Sequence, residues 1–120
     1  MRYLITVNHE GELPTDVPNE LFEAMGAFVS KLAEDGILID ASGLAPIEKA
    51  TRVELRGGDI KIVDGPFAET KEWLGGYFIL QVRSEAEAIE YARQSVELHQ
   101  KHVPGMNVAH DVRQIMDEED

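Results

Sequence analysis

Two stretches of the chain repeat apolar residues at helical spacing, and the ordered runs on either side of each one alternate instead. Leu21, Phe22, Met25, Phe28, Val29 and Leu32 make one apolar stripe over residues 18–35. Pro18 suits the first turn, where a missing N–H is harmless, and Gly36 suits the position just past the end. The second stretch opens with Ser84-Glu85-Ala86-Glu87, a capping box in which the serine accepts from the N–H of residue 87 and Glu87 reaches back. It runs from about 85 to 101, with Ile89, Ala92, Val96 and Val103 as its expected buried line, and Pro104-Gly105 ends it. Two helices with one stripe each can cover one face of a sheet and no more.

The alternating runs supply that sheet. Over residues 2–8, Tyr3, Ile5 and Val7 point one way, and Leu4, Thr6 and Asn8 the other. Ile37-Leu38-Ile39 starts a strand that continues toward Leu44, and residues 45–50 turn at Pro46. Residues 51–55 and 60–64 read as a hairpin closed at Gly57-Gly58 or Gly58-Asp59. Residues 75–83 are the most apolar strand, and Val108 to Ile115 is the last. With the hairpin set aside, two strand–helix–strand units remain. That order predicts an α+β fold, a ferredoxin-like plait (βαβ-hairpin-βαβ) with a largely antiparallel sheet. Its second face has no cover within the chain, and a bare face calls for a partner. One domain is expected over residues 1–116, followed by the acidic tail 117–120.

The least generic segment is Asp64-Gly65-Pro66-Phe67-Ala68-Glu69-Thr70-Lys71-Glu72-Trp73-Leu74-Gly75-Gly76, a charged loop set between two strands. It resembles the signature of the DGPF-domain proteins, which belong to the YCII-related group of small bacterial proteins, and the resemblance covers nearly the whole chain. The resemblance implies a dimeric α+β barrel in which two subunits pack their open sheet faces together, so a homodimer is expected. It implies no cofactor. Fold relatives include isomerases and cofactor-free monooxygenases. Related domains occur beside or fused to alternative sigma factors, which implies, as an alternative, a non-catalytic module with a transcription-linked partner. In YCII-type relatives that lack the full DGPF signature, a histidine–aspartate pair has been suggested as an active site. Residues 18–35 contain no histidine here, so that pair has no residue-by-residue counterpart in this sequence.

Charge and composition narrow the classes of function. The 23 acidic and 11 basic residues leave a net charge of −12, which repels phosphate backbones and anionic membranes. Direct nucleic-acid binding and membrane association are therefore not expected. The absence of cysteine removes disulfides, thiol nucleophiles and thiolate zinc sites. It fits a reducing cytoplasm, and the opening apolar run is too short for a signal peptide. No Gly-rich phosphate loop leads from a strand into a helix, and no serine sits in a nucleophile elbow.

The remaining chemistry lies at strand ends and on the bare face. Strand parity places Thr6, Asn8, Tyr77, Ile79, Gln81, Asp111 and Arg113 on that face. Tyr77, Gln81, Asp111 and Arg113 are candidate ligand-binding groups in a cleft at the subunit boundary, or else the polar lining of a wet interface. Asp64 ends a strand and can accept from the following turn, or act as a general base at the mouth of the cleft. His9, at the end of the first strand, is the candidate catalytic partner for Asp64. Glu69 and Lys71 are further ligand-binding candidates, with Lys71 as an anion anchor between carboxylates. Phe67 and Trp73 are expected to pin the loop by apolar burial, and Gly75-Gly76 to allow a close approach or a bulge. No metal is expected. His99 and His102, three apart near a helix end, are the weak candidates for one, against a plain role as cations at a helix C-terminus.

Overall fold

Both apolar stripes become helices, and both helices lie on the same face of a four-stranded sheet. The computed structural model describes residues 1–11, 17–65 and 72–117. In chain order the elements are β1 (Arg2–Glu10), α1 (Asn19–Glu34), β2 (Leu38–Gly43), β3 (Thr51–Arg56), β4 (Asp59–Asp64), β5 (Glu72–Gln81), α2 (Glu85–His102) and β6 (Val108–Gln114). A single 3-10 turn spans Ile47–Lys49. The sheet order is β2-β5-β1-β6, with every neighbouring pair antiparallel. This is the ferredoxin-like α+β arrangement that the element order predicts.

The core forms where the helices meet the odd positions of β1 and the even positions of β5. Tyr3, Ile5, Phe78, Leu80 and Val82 pack from the sheet side against Leu32 of α1 and Ala88 and Ala92 of α2. Ile5, Leu32 and Leu80 are fully enclosed, each contributing about 1.5–3 kcal/mol of apolar burial. Pro18 caps α1 instead of entering it, and Gly36 has a φ of 73°, a left-handed value that suits glycine. Ser84 Oγ accepts from the Glu87 N–H at 3.2 Å, while Glu87 Oε2 accepts from the N–H of Arg83, one residue before the cap.

Helix α2 faces the sheet differently from the expected line. Its buried residues are Ala88, Ala92 and Ser95, and Ile89 is 49% exposed. Small side chains let this helix sit close to β1 and β6, so the wide Ile89 is left at the flank. Strand β5 also starts earlier than residue 75. Glu72, Trp73 and Leu74 already pair with Glu10, His9 and Asn8, so the second half of the signature is strand and not loop.

The β3–β4 hairpin stands apart as its own two-stranded sheet. Gly57 and Gly58 close it with φ of 59° and 86°, which permits the tight turn that matches strand twist. At its base, the Gly65 N–H donates to the Ala50 carbonyl at 2.8 Å. A Cβ on Gly65 would lie 2.3 Å from the Ile47 carbonyl oxygen, so only glycine fits against the 3-10 turn. Asp117, the first tail residue, accepts from Arg2 Nε at 2.9 Å. Among the described residues, no helix is long and apolar enough to cross a membrane.

Candidate functional site

The site is shaped by one surplus residue. Val7 pairs with Gly76, but Asn8 pairs with Leu74, so Gly75 has no counterpart on β1 and forms a bulge. The bulge shifts the phase of β5. Trp73 therefore pairs with His9 on the helix-covered side, and their rings meet edge to face with centroids 5.9 Å apart. Space is also tight around the bulge. A Cβ on Gly75 would stand 3.2 Å from His9 Cδ2, and one on Gly76 would stand 2.9 Å from the Ser42 carbonyl oxygen.

His9 is buried, and its Nδ1 lies 2.9 Å from the Gly11 carbonyl oxygen. A carbonyl only accepts, so Nδ1 carries a proton and donates, and Nε2 is the nitrogen left for another partner. His99 is held in the same way, with Nδ1 donating to the Ser95 carbonyl at 2.8 Å. Both rings line one cavity of about 150 Å³, walled by Val7, Leu21, Phe22 and Met106. A wider cavity of about 370 Å³ opens between α1 and the β2–β5 edge, lined by Phe22, Met25, Val29 and Phe78. The two share Val7, Phe22 and Gly75 as wall residues. The result is an apolar chamber with two imidazoles, His9 and His99, in the wall of its smaller part.

Behind this chamber lies a polar pair that parity already places on the covered face. His110 Nε2 lies 2.7 Å from Oγ of the fully buried Ser95. Ser95 Oγ also reaches Met25 Sδ at 3.8 Å, so a chain running from His110 N–H to serine to sulfur uses both protons. His110 Nδ1 is buried and finds no partner among the described residues. Desolvation, followed by the nearby His99, pushes the His110 pKa down to about 4, so the ring is neutral at pH 7. The signal for these two residues lay in alternation and helical spacing. His110 falls in phase with Val108 and Val112, and Ser95 falls three residues after Ala92.

The bare face carries the other candidates. Asn8 Nδ2 donates to Thr6 Oγ1 at 3.0 Å and to Asp111 Oδ2 at 3.1 Å. Tyr77 Oη donates to Asp40 Oδ2 at 2.8 Å, and this bond holds the phenol pKa above its ordinary value. Gln81 and Arg113 are exposed on this face near its edge, opposite Arg2 and Leu4. Thr6 pairs with Tyr77 on one side and with Asp111 on the other, so these three stand side by side across β5, β1 and β6.

Asp64 is exposed at the end of β4, opposite Thr51. It makes no described contact with His9. Among the described residues its corner reaches the His9 region through the 3-10 turn, since Gly65 abuts Ile47, and Ile47 lines a cleft of about 270 Å³ together with His9 and Trp73. Glu69 and Lys71, as well as Phe67, lie outside the described residues. His99 faces His110, with ring centroids 5.4 Å apart. Among the described residues, no group of three or more potential ligands could hold a metal ion.

Comparison with known proteins gives the lineage. Residues 1–102 match the YCII-related domain. The chain is also 36% identical over 69 residues to an uncharacterized protein of Rhizobium meliloti (strain 1021). That alignment covers 58% of this chain and 56% of the relative, so the chain matches little more than half the relative's length. The domain match spans both helices and the whole bulged segment of β5, and on that ground the chain belongs to the YCII-related family.

Proposed function

We propose that this protein binds a small, mostly apolar molecule in the chamber between α1 and β5, with His9 as the group that accepts or returns a proton. The observation that carries the reading is the pair of imidazoles, His9 and His99. Each has Nδ1 committed to a backbone carbonyl, and both line the same cavity. Apolar walls select an apolar body. In the neutral rings, two Nε2 lone pairs select a ligand with a donor, such as an acidic O–H or an activated C–H beside a carbonyl. Proton transfer from such a group needs no cofactor. Within this reading Asp64 is a structural acceptor at the signature corner and not the partner of His9.

The pairing of two copies across the bare sheet face belongs to the same proposal, with Tyr77, Gln81, Asp111 and Arg113 at the subunit boundary. A cytoplasmic setting is part of it too, supported by the absence of cysteine. The alternative is a non-catalytic module that docks a basic, transcription-linked protein, and the net charge of −12 favours it. The test is thermal-shift screening with phenols and enolisable ketones, followed by solvent deuterium exchange into the ketones that bind. The expected result is a raised Tm in the wild type, with exchange abolished and binding weakened in His9→Gln. If no compound of either class binds, or if His9→Gln exchanges deuterium as the wild type does, the reading is wrong.

A further inference from the structure

The β3–β4 hairpin is built inside out. The cross-strand pairs Val53–Ile62 and Leu55–Ile60 set four branched side chains on one face, and these are 67%, 73%, 76% and 76% exposed respectively. On the other face Glu54 lies opposite Lys61 and Arg56 lies opposite Asp59. Arg52 and Glu54 on that charged face are half-buried, so the polar side is the more covered one. A hairpin in water normally turns its charges outward and its apolar side in. Two strands alone are marginally stable, and they gain their stability by burying such a face. The hairpin also stands out from the body. The radius of gyration is 16.0 Å, against roughly 14 Å for a compact chain of this length.

We infer that this apolar face is an interaction surface for a second copy of the same chain. Charge identifies the occupant. Residues 51–64 hold three basic and three acidic side chains, so the hairpin is neutral and the whole net charge of −12 lies elsewhere. Two copies repel one another over most of their surfaces, and the hairpin is where they can approach without that penalty. The area agrees. The four side chains expose on the order of 500 Å² per copy, so two copies that cover them fully bury about 1,000 Å², the threshold of a biological interface, to which any sheet-face pairing would add. The surface is separate from the bare sheet face, and it adds to any pairing made there. It does not depend on the ligand chamber.

The test is sedimentation equilibrium on the full chain, comparing wild type, Leu55→Lys/Ile60→Lys and Leu55→Met/Ile60→Met. The wild type is expected to sediment at twice the 13.4 kDa chain mass. The lysine pair should weaken association by about a hundredfold or more, while the methionine pair should retain it. Amide exchange in the wild type gives a second reading that needs no variant. Over residues 51–64 it should slow as concentration rises through the dimerisation midpoint. A monomeric wild type overturns this inference and the sheet-face pairing together. A dimer that is indifferent to the lysine pair, with exchange over 51–64 independent of concentration, overturns the hairpin surface and leaves the sheet-face pairing standing.

Discussion

Ser95 and His110 face each other across the α2–β6 contact, with 2.7 Å between Oγ and Nε2, and this side-chain bond joins helix and strand beneath the chamber. Removing the serine leaves the imidazole with neither nitrogen satisfied. Ser95→Ala should therefore destabilise the protein by about 1–3 kcal/mol, although alanine suits a helix better. Urea unfolding measures it. A change near zero would show that water replaces the hydroxyl.

The same histidine makes stability depend on pH. Its folded pKa is about 4, below the ordinary 6.5, because burial and the neighbouring His99 disfavour the charged ring. The unfolded chain then binds more protons than the folded one between these values. Stability contributed by the neutral ring is fully present above pH 6.5 and is lost as pH falls toward 4. Allowing for the partial exposure of the ring, the loss is about 2 kcal/mol. His110→Phe should flatten the profile across that window. An unchanged slope in the variant would assign the effect to carboxylates.

The glycines of the signature are separable by the space around them. Gly65→Ala and Gly76→Ala each drive a Cβ onto a backbone oxygen, at 2.3 Å and 2.9 Å, so each should cost about 1–3 kcal/mol or more. Gly26, within α1, has nothing within 4 Å of its Cβ position, and Gly26→Ala should stabilise by about 0.4–1 kcal/mol. Denaturant midpoints for the three variants decide the matter. Equal shifts in all three would refute the steric account.

The Tyr77–Asp40 bond makes a prediction about titration. The phenol is held up chiefly by its bond to Asp40, so Asp40→Ala should bring its midpoint down toward the ordinary tyrosine value. The Tyr77 ring resonances followed by NMR against pH report it. Ring resonances with an unmoved midpoint would show that the bond does not persist in solution.

Much of this architecture was legible because backbone rules act over short distances. The capping box at Ser84, the stop at Gly36 and the Gly57-Gly58 turn each depend on a few neighbours, and each stands where the residues placed it. The register of α2 was not legible in the same way. Ile89 and Ala88 are adjacent, and a helical wheel cannot tell which of them the sheet will accept. Close packing against β1 and β6 chose the smaller one. The relation of Asp64 to His9 was not legible for a related reason. Nearness to strand ends says nothing about which sheet a strand joins, and β4 joins a separate one. Ser95 with His110, and His9 with His99, are long-range encounters that only the assembled sheet creates.

Alternation along a strand is a rule of two, and Gly75 breaks it once. Every side chain before that point on β5 has changed sides relative to an unbroken count from Tyr77. If the strand ran through this point without the bulge and kept every residue, Leu74 would pair with His9 and Trp73 would stand on the far surface of the sheet. Loss of Gly75 itself would only remove the surplus and leave Trp73 opposite His9. A slip to unbroken pairing is thus a larger event than most point substitutions, because it exchanges the inner and outer walls of the same strand while leaving the rest of the chain almost untouched.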